Sequence, residues 1–174
     1  MPLYQLGQKR PSVGRDVFIA EGARVIGDVT LGDGAGIWFN VVLRGDYMPI
    51  RIGARTNIQD NSVVHITAGM LGATVGDDVT VGHAAIIHAC TVGNMCLVGM
   101  GSVVLDGAVI GDESFIAAGS LVTPKTIIPP RSFVLGRPAK VVRPVNEREL
   151  LWIKGSAEGY ASYAREFMAG CKAL

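Results

Sequence analysis

The chain has 174 residues, of which 49% are hydrophobic, and its formal net charge is +1. This length suits one domain with a sizeable core, and the near-neutral charge predicts neither a nucleic-acid-binding surface nor an acidic tail. No segment approaches the roughly 18 apolar residues of a membrane span, and the three cysteines, without a C-x-x-C pair, favour free thiols in a reducing compartment. We therefore expect a soluble cytoplasmic protein with no nucleic-acid or membrane partner.

An aliphatic residue recurs every six positions along most of the chain, interrupted by insertions of three and five residues and by one deletion. The series is Ile19, Val25, Leu31, Ile37, Leu43, Ile52, Ile58, Val64, Val75, Val81, Ile87, Val92, Val98, Val104, Ile110, Ile116 and Val122. A period of six is neither the 3.6 of an α-helix nor simple alternation, so it predicts a short strand, a corner and another short strand. Three such sides close a coil of about 18 residues whose aliphatic side chains stack inside.

The repeat predicts an all-β fold, a parallel β-solenoid over residues 1–143. A β-sandwich of short strands is the alternative, but sandwiches do not hold a six-residue register over so many steps. From residue 13 to residue 140 the pattern resembles the hexapeptide-repeat superfamily of left-handed β-helices. The left hand is implied by this resemblance and not by the pattern, since ordinary parallel crossovers are right-handed.

The solenoid is expected to end near Gly136–Lys140, because prolines around this segment interrupt any regular ladder. Asn146 with Glu149 three residues later predicts the N-terminus of an α-helix. An apolar side then runs to Gly155, and a second stretch forms one stripe at helical spacing, made of Tyr160, Tyr163, Ala164 and Phe167. We predict that residues 144–174 form a C-terminal helical segment packed on the solenoid or on a neighbouring subunit.

The chain has three histidines, and the register of the repeat relates them. When the insertions are treated as corner loops, Arg44, His65 and His88 fall on the same side of successive coils and point outward. Neighbouring coils lie about 4.8 Å apart, so His65 and His88 can reach one ion. His83 falls on a different side, and a three-fold oligomer would bring it from one subunit to the histidine pair of the next.

Three neutral imidazoles with one open position are typical of a catalytic zinc site, although Fe²⁺ and Co²⁺ also accept this donor set. Asp60 occupies the same slot as His83 one coil earlier and is placed to orient a ligand imidazole. Gln59 points outward beside it. The alternative for each histidine is a solvated surface residue without a ligand.

Four segments resemble the signature blocks of the gamma-class carbonic anhydrases: Leu43–Asp46, Asn57–His65, Gly82–His88 and Gly136–Lys140. The resemblance implies a homotrimer with three metal sites between subunits. It also implies that His65 and His88 come from one subunit and His83 from its neighbour. The activity implied is the reversible hydration of CO₂ to bicarbonate by metal-bound hydroxide.

Matching the motifs residue by residue assigns further candidate catalytic roles. The resemblance implies that Gln59 hydrogen-bonds the metal-bound water, with support from Asp60, and that Arg44 stands at the subunit interface near the site. Tyr160 on the terminal helix matches an active-site tyrosine, with Tyr163 as the rival. The candidate catalytic residues are therefore Arg44, Gln59, Asp60 and Tyr160.

Two other residues match supporting positions of the family, and one loop departs from it. The resemblance implies that Asn57 supports Gln59 and that Asp46 forms an intersubunit ion pair with Arg44. The archetypal enzyme carries a proton-shuttling glutamate in an acidic loop after the first histidine. Here that loop is Ile66–Ala73, without a titratable side chain, and Tyr47 replaces another glutamate. We therefore expect weak turnover.

Two other functions remain open. Many relatives of this solenoid are acyltransferases that use coenzyme A and need one histidine as a general base. A catalytically silent trimeric scaffold is the third reading, and fold alone does not separate the three. Metal analysis does, because about one ion per subunit favours the carbonic anhydrase and weakens the acyltransferase.

Overall fold

The computed structural model describes residues 2–172. Met1 of the predicted solenoid segment and residues 173–174 of the predicted helical segment lie outside the described range. The described residues form twenty strands followed by one helix. The strands are β1 (Leu3–Tyr4), β2 (Ser12–Val13), β3 (Phe18–Ile19), β4 (Arg24–Leu31), β5 (Gly36–Ile37), β6 (Val42–Ile52), β7 (Asn57–Ile58), β8 (Val63–His65), β9 (Ala73–Val75), β10 (Thr80–Val81), β11 (Ile86–His88), β12 (Thr91–Val92), β13 (Leu97–Val98), β14 (Val103–Val104), β15 (Val109–Ile110), β16 (Phe115–Ile116), β17 (Leu121–Val122), β18 (Ile127–Ile128), β19 (Ser132–Gly136) and β20 (Ala139–Pro144). The helix is α1 (Glu147–Gly170).

The strands stack in parallel on three faces. The first face contains the start of β4 and of β6, then β8, β11, β14 and β17, while the second contains the ends of β4 and β6, then β9, β12, β15 and β18. The third face is β3, β5, β7, β10, β13, β16 and β19. Each coil thus crosses all three faces, which confirms the predicted left-handed parallel β-helix of hexapeptide repeats.

The aliphatic series of the repeat forms the interior of the solenoid. From Val25 to Val122, every member is at most 3% exposed. Full burial of such a side chain contributes about 1.5–3 kcal/mol, so this stack is the main source of stability. Glycines that follow the aliphatic residues allow neighbouring coils to approach closely. At Gly76, for example, an added Cβ would lie 2.5 Å from Asn94 Oδ1 and 2.8 Å from the carbonyl carbon of Gly93.

Both insertions lie at the corner between the first and second faces, hereafter the histidine corner. The three-residue insertion lengthens β6 and shifts its register against β4, so that Gly27 pairs with Gly45 but Val29 pairs with Ile50. The five-residue insertion forms a loop closed by an antiparallel bridge between Thr67 and Leu71. The same corner therefore receives the residues that follow β8, β11 and β14.

The parallel ladder ends at β19, where the sequence predicted its end. The chain then reverses, and β20 pairs antiparallel with β19. This last strand was not predicted from the repeat. The predicted division at residues 143 and 144 falls within the final two residues of β20, three residues before α1 begins, and its status as a domain boundary stays a prediction.

Helix α1 begins with the predicted capping box. The Asn146 side chain accepts a hydrogen bond from Glu149 N at 2.9 Å, and Glu149 Oε2 accepts one from Asn146 N at 3.0 Å. The two apolar stretches form one continuous helix, which buries Ile153, Ala157 and Ala164 against the third face. Within residues 2–172 no helix is long and apolar enough to cross a membrane.

The capping box generates a prediction about acid stability. Arg143 bonds both carboxylate oxygens of Glu149 and holds its pKa below the usual 4.5. A carboxyl with a lowered folded-state pKa contributes stability that is present above its unfolded pKa and lost as the pH falls through the folded value. In scanning calorimetry, Glu149→Gln should therefore destabilise the protein by about 1 kcal/mol near pH 7 and by much less near pH 3.

Glu147→Gln is the matched control, because the Glu147 side chain is 91% exposed and its carboxylate lies 3.9 Å from the nearest guanidinium nitrogen of Arg131. This control should change the melting temperature little at either pH. A loss of stability from Glu149→Gln that persists unchanged in acid would contradict the role assigned to the ion pair.

Candidate metal centre

Strand pairing places two of the histidines side by side. His65 ends β8 and His88 ends β11, and the two residues are direct partners in the parallel ladder. Each follows a fully buried inward residue, so its side chain points outward, because successive residues of a strand face opposite sides. His65 Nδ1 lies 3.2 Å from His88 Nε2, as the repeat register predicted.

His65 is the more enclosed member of the pair. Its Nε2 atom is buried and has no hydrogen-bond partner, although Asp46 Oδ1 lies 3.4 Å away. Burial lowers the pKa of His65 from its usual value, and the positive charge of Arg44 lowers it further. The side chain is therefore a neutral imidazole at neutral pH, which is the form that binds metal ions.

Asp46 and Arg44 form an ion pair beside His65, within one chain. Burial alone would raise the pKa of Asp46, but Arg44 and a backbone hydrogen bond outweigh it, so the pKa lies below its usual value. Lys9 Nζ donates to the carbonyl oxygens of Asp46 at 2.8 Å and Tyr47 at 3.0 Å, and so fixes the inserted part of β6. Contact of this ion pair with another subunit stays a prediction.

His88 contacts a carboxylate that the sequence interpretation missed. Its Nδ1 lies 3.1 Å from Asp106 Oδ2, and Thr67 Oγ1 donates to Asp106 Oδ1. The Thr67 hydrogen bond, together with those from the backbone and His88, lowers the pKa of Asp106. Because an ionised carboxylate only accepts, His88 Nδ1 carries the proton and the lone pair lies on Nε2. Asp106 follows the inward Val104 by two positions, and this register was the signal that would have located it.

His83 lies at another corner, between the third and first faces. Its Nδ1 is 2.8 Å from Asp60 Oδ2, where the repeat placed that aspartate, and its Nε2 is 3.5 Å from Tyr160 Oη. Burial raises the pKa of Tyr160, with the charge of Asp60 as a further cause, so the phenol stays protonated at neutral pH. Tyr163, the rival, is half exposed and packs its ring on Tyr160.

Gln59 and Asn57 are buried under α1. Gln59 Nε2 donates to Asn57 Oδ1 at 3.1 Å, and Asn57 Nδ2 donates to Thr80 Oγ1 at 3.0 Å. Beside Gln59 lies a mainly apolar cavity of about 450 Å³, which is lined among others by Leu97 and Trp152. Neither the contact with Thr80 nor this cavity was predicted from the sequence.

Among the described residues, the histidine pair and His83 share no hydrogen-bond or ion-pair partner. Within residues 2–172, no group of three or more His, Cys, Asp or Glu side chains is placed to hold a metal ion. The chemistry of the donors nevertheless fits a divalent cation. His65 presents Nδ1 to His88 Nε2 at 3.2 Å, and its Nε2 lies near Asp46. His83 and His88 each contact a carboxylate through Nδ1, which leaves Nε2 as their donor atom.

Comparison with known proteins agrees with the repeat and with the signature blocks. The family described as "Bacterial transferase hexapeptide (six repeats)" matches residues 10–45 and 89–124. The solved structure of a hexapeptide transferase family protein from Anaplasma phagocytophilum superposes with a TM-score of 0.91 at 46% identity, covering 95% of this chain and 97% of that one.

Several curated relatives carry a more specific name, and two of them illustrate the match. The chain is 45% identical over 168 residues to gamma carbonic anhydrase 2, mitochondrial, of Arabidopsis thaliana, covering 94% of this chain and 60% of the relative. It therefore spans less than two thirds of that plant protein. It is 47% identical over 148 residues to a carbonic anhydrase of Geobacillus kaustophilus, covering 85% of this chain and 81% of the relative. The chain therefore belongs to the gamma-class carbonic anhydrase-like family of hexapeptide-repeat β-helix proteins.

Proposed function

We propose that this protein is a metal-dependent carbonic anhydrase that reversibly hydrates CO₂ to bicarbonate. One observation carries the proposal: His65 and His88 are aligned on successive coils as outward-facing imidazoles, with the Nδ1 atom of His65 only 3.2 Å from the Nε2 atom of His88. Paired imidazoles of this kind suit a metal ion better than a general base, which needs only one histidine. The two relatives named as carbonic anhydrases support the same activity.

A homotrimer completes the donor set. His83 lies at a different corner from the pair, so a neighbouring copy related by a three-fold axis supplies it. Three equivalent sites between subunits then form, each with three imidazoles and one open position for a reactant. Zn²⁺ is the expected ion, and Fe²⁺ or Co²⁺ fits the same donors.

The residues around the histidines divide the remaining tasks. A bound divalent ion supplies the Lewis acidity that lets a water molecule lose its proton near neutral pH. The side-chain amide nitrogen of Gln59 donates a hydrogen bond to Asn57. Its Oε1 atom is therefore available to accept a hydrogen bond from the reacting water and orient it. The apolar cavity beside Gln59 suits uncharged CO₂. Tyr160, which stays protonated at neutral pH, is available as a hydrogen-bond donor beside His83.

The acyltransferase reading keeps some support, because the Anaplasma phagocytophilum relative is described as a hexapeptide transferase family protein. Such an enzyme needs a histidine whose lone pair is free to accept a proton from an acceptor hydroxyl or amine. Ligation to a metal ion would occupy that lone pair. The scaffold reading predicts neither bound metal nor turnover, so metal content and CO₂ hydration together separate the three functions.

The first prediction concerns metal content, measured by elemental analysis of the purified protein. His65→Ala, His83→Ala and His88→Ala should each lower it, because two remaining imidazoles form a weak site. Gln59→Ala should keep the metal but lower kcat/KM for CO₂ by roughly 10²-fold, since it loses orientation of the reacting water. Gln5→Ala, at an exposed glutamine, is the control. Full metal content in all three histidine variants would sink the ligand assignment.

The second prediction concerns proton export. The loop Ile66–Ala73 offers no acid or base, so an external imidazole buffer should stand in for one. In stopped-flow hydration assays, kcat should rise with buffer concentration while kcat/KM changes little. Ala68→Glu should reduce the buffer dependence if its side chain faces the metal, and Ala68→Gln is the matched control. Fast turnover that ignores the buffer would show that another group already moves the proton.

A further inference from the structure

The histidine corner contains a hydrogen-bonded chain that the proposed reaction does not yet use. It runs from the Thr67 hydroxyl, in the inserted loop, to Asp106 in the next coil but one, and from Asp106 to His88. The Asp106 carboxylate receives one partner on each oxygen. Three separate segments meet here: the loop after β8, the last residue of β11 and the turn after β14.

The backbone shape of the loop and of the histidine corner does not depend on the Thr67–Asp106–His88 hydrogen bonds. The loop is closed by two backbone hydrogen bonds between Thr67 and Leu71, at 3.0 and 3.1 Å. The Asp106 segment is held in the coil stack by its own backbone, since Asp106 O accepts a hydrogen bond from Lys125 N at 2.8 Å. The side chains of Thr67 and Asp106 are therefore available to orient the His88 imidazole.

We propose that Thr67 and Asp106 are positioning residues that fix the tautomer and the ring orientation of His88 for a metal ion. A carboxylate on Nδ1 keeps the lone pair on Nε2 and makes the imidazole a stronger donor. The hydroxyl on the second oxygen of Asp106 stops the carboxylate from rotating away. The inference rests on the proposed metal-dependent function and gives the loop that lacks a proton-shuttling acid a different role.

The arrangement also resembles the one at His83. There Asp60 contacts Nδ1 at 2.8 Å, so two of the three histidines have an aspartate on the same ring nitrogen. Asp60 comes from the coil before His83, whereas Asp106 comes from the coil after His88. The two carboxylates therefore hold their histidines from opposite directions along the solenoid.

The test is Zn²⁺ binding to the intact protein, measured by competition with a chromophoric chelator, and the visible absorption of the Co²⁺-loaded protein. Asp106→Asn should weaken Zn²⁺ binding about 10- to 100-fold and shift the Co²⁺ bands. Thr67→Val should weaken binding less, and Thr67→Ser should restore it, because serine keeps the hydroxyl. Thr123→Val is the matched control, since it removes a hydroxyl that bonds Thr126 instead.

Circular dichroism and mass by light scattering confirm that each variant keeps its fold and assembly, and Thr67→Val keeps the test valid if Asp106→Asn does not fold. Wild-type affinity and unchanged Co²⁺ bands in Thr67→Val and in folded Asp106→Asn would overturn the positioning role while leaving the metal site intact. Failure of Thr67→Ser to restore binding would overturn the role of the hydroxyl. Absence of Zn²⁺ binding by the wild-type protein would overturn the proposed function and this inference with it.

Discussion

The stacking of coils in strict register is the constraint on which the rest of the structure depends. Parallel pairing brings equivalent positions of successive coils to the strand spacing of about 4.8 Å. The interior is then an aliphatic ladder, and any polar residue at a repeated outward position meets its equivalent in the next coil. His65 and His88 are 23 positions apart in the chain, yet they become neighbours because β8 pairs with β11.

The same register separates His83 from the other two histidines. A solenoid with three faces cannot bend one corner towards another, since the packed interior fills the space between them. In the proposed metal site, the donor set is therefore divided between two corners: it is incomplete in one chain, and the proposed trimer completes it where two chains meet. Carboxylates then determine how each half presents its nitrogen: Asp60 on His83, Asp106 on His88, and Asp46 close to His65.

The six-residue period was sufficient to predict the fold, because every coil repeats the same pattern of inward aliphatic residues. An irregularity in one coil does not alter the pattern in the next. The period also predicted the alignment of His65 with His88 and the position of Asp60 beside His83, because both depend only on the register of the coils. The register would also have placed Asp106 near His88, but its contact with Thr67 depends on how the inserted loop curls, which the period does not describe. The contact of Lys9 with the inserted part of β6 was missed for the same reason. Which tyrosine contacts His83 depends on how α1 is rotated about its axis on the third face, and the repeat does not describe this rotation. The repeat also does not predict β20, because that strand forms only after the chain reverses at the end of β19.

The central claim is that each metal site takes two histidines from one subunit and one from the next. Its most direct test is the zinc content of mixed trimers assembled from two differently tagged chains, one with His83→Ala and one with both His65→Ala and His88→Ala. A cyclic trimer containing both chains has one junction where an intact pair meets an intact His83. The account predicts one zinc ion per mixed trimer and almost none in either parent. Mixed trimers with no more zinc than their parents would contradict it.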